Sequence, residues 1–216
     1  MTTPPSPPPP DPSPKLEFLF DFGSPNAYLA HKVLPGIAAR TGATIVYAPV
    51  LLGGVFKATG NRSPMEAFAG IPAKLAYEGR ERDRFVARHG LNRFAANPHF
   101  PVNTLAIMRG AVAAKRLGLF DAYVEAVFAA MWEQGRKMDD PAVIDEVLAG
   151  AGLPAADLLA LSQDPAVKAE LVETTNAAVA RGVFGSPSFF VGDELWFGKD
   201  RLDEVERALT VAAATA

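Results

Sequence analysis

The chain opens on a short apolar run and then changes period. Residues 16–21 (LEFLFD) are nearly continuous in apolar character, as a strand covered on both faces should be. Gly23-Ser24-Pro25 follows, then an amphipathic stretch over 26–40. Ser24 suits a helix N-cap and Pro25 the first helical position, where a missing N–H costs nothing. Pro35-Gly36 is expected to kink this helix and Thr41-Gly42 to end it. Residues 43–50 (ATIVYAPV) are rich in β-branched side chains and predict a second strand. A strand–helix–strand opening favours a parallel pair joined by a right-handed crossover.

Beyond Leu51 the pattern is helical as far as Gly182. Ser63-Pro64-Met65-Glu66 is a capping box. The periodicity predicts helices near 64–70, 72–89, 103–117, 119–136, 141–150, 155–162 and 165–181, with a polar loop over 92–101. Strands return at 188–191 (SFFV) and 194–197 (ELWF). They flank Gly192-Asp193, a hairpin signal. A last helix is expected over 201–213. The order β-α-β, helical block, β-β-α is that of an α/β fold split by an all-helical insertion. Residues 15–50 plus 183–213 form one part, and 51–182 the insertion. Residues 1–14, mostly proline, serine and threonine, read as a disordered or polyproline leader without the features of a signal peptide.

Composition narrows the chemistry. There is no cysteine, which excludes disulfides, thiolate metal sites and dithiol redox catalysis. His31, His89 and His99 have no ligand spacing, so no metal is expected. The net charge of −3 and the alternation of acids and bases in Arg80-Glu81-Arg82-Asp83-Arg84 argue against nucleic acid. No apolar run is long enough to span a membrane. A cytoplasmic setting is the expectation.

Four strings then carry a resemblance: LFDFGSPNAYL (19–29), PVLLGGVFKATGNRSP (49–64), GVFGSPSF (182–189) and FGKDRL (197–202). In this order and spacing the chain resembles the 2-hydroxychromene-2-carboxylate isomerases over 15–213. That family belongs, with the kappa-class glutathione transferases, to the DsbA-like branch of thioredoxin folds. The resemblance implies a thioredoxin-like fold with glutathione as an unconsumed cofactor, its thiol facing Ser24. It also implies isomerisation of 2-hydroxychromene-2-carboxylate to trans-o-hydroxybenzylidenepyruvate. Addition of the thiolate to the ring-opened enone, bond rotation and elimination would achieve this.

The same resemblance assigns residues. Ser186 offers its backbone to the cysteinyl unit, ahead of a cis Pro187. Gly198, Lys199 and Asp200 hold the γ-glutamyl end, with Asp200 receiving the ammonium. Asn61 contacts glutathione, although a turn role explains it as well. Lys57, Asn97, His99 and Asn103 are candidates for the substrate's carboxylate and hydroxyl; surface solvation is the alternative for each. Trp132 and Trp196 are expected in the core. Asp21, three residues before Ser24, is expected to order the turn.

Physical chemistry supports a helper role for Ser24. A cysteine-type thiol near pKa ~8.5 needs about 2.7 kcal/mol to fall by two units. A helix N-terminus supplies about 0.3–1 kcal/mol, and a hydrogen bond to a charged group about 1.5–3 kcal/mol. Both are therefore wanted. The alternatives are a kappa-like transferase that consumes glutathione and a non-catalytic thioredoxin-like binding module. The expected partner is a small aromatic substrate, and a homodimer is implied by relatives.

Overall fold

A computed structural model describes residues 13–215. Of the leader read over 1–14, residues 1–12 lie outside the described residues. Strand β1 (Lys15–Phe20) leads into helix α1 (Pro25–Thr41), and β2 (Thr44–Pro49) returns parallel to β1. Helices α2 (Leu52–Thr59), α3 (Pro64–Ala67), α4 (Pro72–His89), α5 (Leu105–Arg116), α6 (Phe120–Trp132), α7 (Pro141–Gly150), α8 (Ala155–Leu161) and α9 (Pro165–Ala180) follow. Then come β3 (Ser188–Val191), β4 (Glu194–Phe197), a 3-10 turn (Lys199–Arg201) and α10 (Leu202–Thr215). The sheet order is β2-β1-β3-β4, with β3 antiparallel to both β1 and β4.

β1 is central and buried on both faces, which explains its continuous apolar run. Leu16, Phe18 and Phe20 point into the larger core with Phe189, Phe128 and Leu209. Leu19 points to the opposite face, where Val50, Val55, Ala178 and Phe190 meet. The larger core is shared. Side chains of β1, α1 and α10 pack in one cluster with Met108, Tyr123 and Phe128 of α5 and α6. The helical insertion thus completes the core of the sheet, on the side that α1 and α10 cover.

α1 contains Pro35 and ends where expected, at Gly42, whose left-handed φ of 69° only glycine adopts cheaply. One element departs from the expectation: α2 occupies a stretch outside the helices that periodicity predicts. Its N-cap, Leu51, has no side chain able to cap.

α1 is also fixed to its neighbours by polar contacts. His31 bridges the Tyr47 hydroxyl of β2 (2.8 Å) and Glu125 of α6 (2.9 Å). Lys32 pairs with the same Glu125. Hydrogen bonds from His31 and Lys32 hold the Glu125 carboxyl down at about 2. A carboxyl depressed on folding contributes stability above its unfolded value of about 4.5, and that contribution is lost as pH falls towards 2. Glu125→Gln is therefore expected to lower Tm at pH 7 and to flatten the acid decline of Tm between pH 4.5 and 2, which scanning calorimetry across that range measures. The effect is modest, because the Glu125 side chain is about half exposed.

Candidate functional site

The site forms where β1 ends and two helices begin. Ser24 is the N-cap of α1, with extended backbone (φ −94°, ψ 113°), and its Oγ accepts from the Ala27 N–H. It is only 5% exposed. Its hydroxyl donates to the carbonyl of Ser186 at 2.9 Å. The Ser186–Pro187 bond is cis, as is Phe100–Pro101. Ser186 carries more than its backbone: its Oγ accepts from the Asp21 N–H at 3.1 Å. Pro187 in turn accepts from the Gly198 N–H at 2.9 Å. The Asn61 amide donates to the carbonyl of Phe184, two residues ahead of Ser186, at 2.8 Å. Asn61, Ser24, Ser186, Pro187 and Gly198 are thus joined by direct hydrogen bonds along one loop.

Asp200 is exposed, while Lys199 beside it is not: the lysine side chain is 4% exposed, its ammonium lies 4.9 Å from the centre of the Phe85 ring, and it pairs with Asp200. Lys199 is Asp200's partner, buried under α4. A cleft of about 200 Å³ opens here between α4 and the start of α10, lined by Arg84, Phe85, Arg88, Asp200 and Asp203 among others.

The four substrate candidates separate. Asn97 is buried, and both donors of its amide are taken by the carbonyls of Met131 and Arg136 (3.0 and 2.9 Å). Its Oδ1 accepts from the His99 N–H. Buried polar groups require such satisfaction, and here the protein supplies it without a ligand. Asn103 Oδ1 accepts from Leu105 N–H and so caps α5. The Asn97 side chain is thus fully satisfied within the protein, whereas the exposed Asn103 uses only its Oδ1 in this cap. Lys57 and His99 are exposed. Trp132 and Trp196 pack as expected, Trp132 buried and Trp196 against the core.

Asp21 is expected to order the turn; its partners, and the contact Trp132 makes there, leave no mark in the sequence. The Trp132 indole donates to the Phe22 carbonyl at 2.7 Å. The Asp21 carboxyl, 1% exposed, accepts from Gly23 N–H (2.8 Å) and Leu52 N–H (2.7 Å), with the Thr104 side chain facing it. Burial pushes the Asp21 carboxyl above the usual carboxylate value, against the pull of these neighbours.

These groups could hold an extended ligand with an anionic centre; Asn61 and Asp200 are exposed. At the centre, the hydroxyl of Ser24 can exchange its neutral acceptor for an anionic one. That exchange has a cost the residue type alone does not reveal. A neutral hydrogen bond contributes about 0.5–1.5 kcal/mol and one to a charged group about 1.5–3, so the net gain is about 1 kcal/mol. With about 1 kcal/mol from the partly buried helix end, the total is about 2 kcal/mol, or roughly one and a half pKa units.

The sequence matches the family of the DSBA-like thioredoxin domain over residues 15–210. The 2-hydroxychromene-2-carboxylate isomerase of Sphingobium xenophagum is 31% identical over 202 residues, covering 90% of this chain and 97% of its own. A solved structure of 2-hydroxychromene-2-carboxylate isomerase superposes with a TM-score of 0.80 at 30% identity, over 93% of this chain and 97% of that one. Human glutathione S-transferase kappa 1 is 26% identical over 206 residues, 87% of each chain. The chain belongs to the DsbA-like thioredoxin family and, within it, to the 2-hydroxychromene-2-carboxylate isomerases.

Proposed function

We propose that the chain is a glutathione-dependent isomerase. It converts 2-hydroxychromene-2-carboxylate, or a related intermediate of aromatic degradation, to the trans-o-hydroxybenzylidenepyruvate type of product. The observation that carries this is the hydrogen-bonded series Asn61–Phe184, Ser24–Ser186 and Gly198–Pro187 in a chain with no cysteine. Family membership supports it, and the likeness to a kappa-class glutathione S-transferase supports the choice of thiol.

Bound glutathione supplies the nucleophilic sulfur that the chain lacks. The chain's own residues prepare it. Ser24 turns its hydroxyl from the Ser186 carbonyl to the sulfur and stabilises the anion there, together with the N-terminus of α1. The Ser186 backbone aligns the cysteinyl unit. Asn61 and Gly198 fix the ends, and Asp200, oriented by Lys199, takes the ammonium. Lys57 and His99 are the exposed side chains kept as contacts for the substrate's carboxylate. A cytoplasmic setting and a homodimer belong to the same reading.

The test is isomerisation of the chromene substrate, followed by absorbance, with and without glutathione. Turnover is expected only with glutathione, at catalytic amounts and without its consumption. Full activity in its absence would refute the proposal. The kappa-class likeness favours a second reading, transfer of glutathione to electrophiles. Stoichiometric loss of glutathione with chlorodinitrobenzene, and no isomerisation, would establish that instead.

A further inference from the structure

The residue that touches most of the site is neither Ser24 nor Ser186. Asp21 reaches four separate segments. Its carboxylate receives Gly23 N–H at 2.8 Å and Leu52 N–H at 2.7 Å, one on each oxygen. The Thr104 side chain, at the start of α5, faces the same carboxyl and helps to lower its pKa. Its main chain receives Ser24 N–H at 3.0 Å and donates to Ser186 Oγ at 3.1 Å. The active-site turn, the cis-proline loop, the first residue of α2 and the insertion's α5 all meet on this one residue, which is 1% exposed. There is little slack. A Cβ on Gly23 would lie 3.0 Å from Thr104 Cγ2 and 3.3 Å from Asp21 Oδ1.

The chemistry asks for a carboxylate. Each oxygen faces an N–H, so the group must accept at both ends, and an ionised carboxylate is the side chain that donates nothing. A buried anion is costly unless it is hydrogen-bonded in this way. It is also an unwelcome neighbour for a second anion: a negative charge near a thiol raises its pKa. Burial works against that charge, so it is the pair of N–H contacts, one on each oxygen, that the geometry shows the site to use.

We propose that Asp21 is a positioning residue for the thiol chemistry, fixing the Gly23–Ser24 turn against the N-terminus of α2 so that the Ser24 hydroxyl meets the sulfur. This rests on the glutathione reading above. Asp21 itself touches neither cofactor nor substrate. In Asp21→Asn, the amide nitrogen would face either Gly23 N–H or Leu52 N–H, donor against donor. One of the two segments has to move.

Positioning and charge predict opposite signs. Loss of positioning raises the pKa of the bound thiol, whereas deleting a nearby anion lowers it. The experiment is ultraviolet titration of glutathione bound to the wild-type chain, Asp21→Asn and Thr104→Val. Affinity for S-methylglutathione is measured by calorimetry, and kcat as a function of pH. In Asp21→Asn the thiol pKa is expected to rise by about half a unit to one unit, with kcat at pH 7 down about three- to tenfold and nearly restored at pH 9. S-methylglutathione should bind within about threefold of wild type, since no sulfur anion is involved in that complex.

Thr104→Val removes the hydroxyl that faces the carboxyl and leaves both amides in place. It should shift the thiol pKa the same way by less, and it carries the test if Asp21→Asn does not fold. An unchanged or lowered thiol pKa, or a kcat deficit independent of pH, overturns the proposal. If the wild-type chain itself binds no S-methylglutathione, the glutathione reading fails and this inference falls with it.

Discussion

Replacing Ser24 by alanine is expected to reduce isomerase turnover at pH 7 by about ten- to a hundredfold, with most of the loss recovered at high pH. The range follows from the hydrogen bond removed, about 1.5–3 kcal/mol to a charged acceptor, at tenfold per 1.36 kcal/mol. The lower end is the better expectation. In the structure the hydroxyl already donates to the Ser186 carbonyl at 2.9 Å, so the sulfur gains only the difference between an anionic and a neutral acceptor. The same variant loses an N-cap, because Ser24 Oγ accepts from Ala27 N–H. That costs about 1 kcal/mol, a fall in Tm of about 2–4 °C for a chain of this size. The two effects separate on a pH profile: an ionisation defect disappears once the thiol titrates, and a folding defect does not. A flat, pH-independent loss in a variant of lowered Tm would assign Ser24 a structural role alone. Ser24→Cys offers an independent check. Its thiolate, placed against the bound sulfur, should exchange with oxidised glutathione to give a protein mixed disulfide and one free glutathione, visible as a mass increase of the intact chain.

How much of this was legible in the sequence depended on whether the signal was local. The strands and the long helices announce themselves by period, and several helices also by a local cap: Ser24, Ser63, Asp140 and Asp164 each accept from an amide in their own first turn. α2 has neither signature. It is short, contains Gly53 and Gly54, and begins at an uncapped Leu51; its first N–H is capped instead by Asp21, thirty-one residues earlier. A cap supplied across the fold leaves no mark in the local sequence. Asn97 fails for the related reason. A loop asparagine reads as solvated or ligand-binding, yet here two carbonyls from α6 and the segment after it satisfy it. The burial of Lys199 beside Phe85 of α4 is likewise a contact across the fold that its own segment does not signal. That the Ser24 hydroxyl is already engaged by the Ser186 carbonyl, and that Asp21 N–H meets the Ser186 hydroxyl, only the three-dimensional contacts reveal.

The largest expected loss of stability comes from a change that helix propensity would rate as favourable, Gly110→Ala in α5. Alanine exceeds glycine by about 1 kcal/mol in a helix interior. Packing reverses the sign. A Cβ at Gly110 would lie 2.0 Å from the Tyr123 hydroxyl oxygen and 2.7 Å from Cζ of the same ring. Tyr123 has no room to retreat: it is 1% exposed, its hydroxyl donates to the Ile107 carbonyl at 2.9 Å, and its ring packs beside Phe22 at 6.1 Å. Overpacking costs about 1–3 kcal/mol, and a buried hydroxyl that loses its acceptor about 1–3 more. Net of propensity, about 3 kcal/mol is expected, a fall in Tm of roughly 10 °C at about 2–4 °C per kcal/mol. Tyr123→Phe alone should cost about 1 kcal/mol, the worth of its hydrogen bond. Combined with Gly110→Ala it should cost less than the sum, because removing the hydroxyl oxygen removes the closest clash. Such a double-mutant cycle measures the coupling directly. Additive losses, or a Gly110→Ala variant more stable than wild type, would mean that α5 and α6 do not approach as described. Because Phe22 adjoins the Gly23–Ser24 turn, the same clash should also disturb the site, so that thermal denaturation and kcat decline together in this variant and separately in Ser24→Ala.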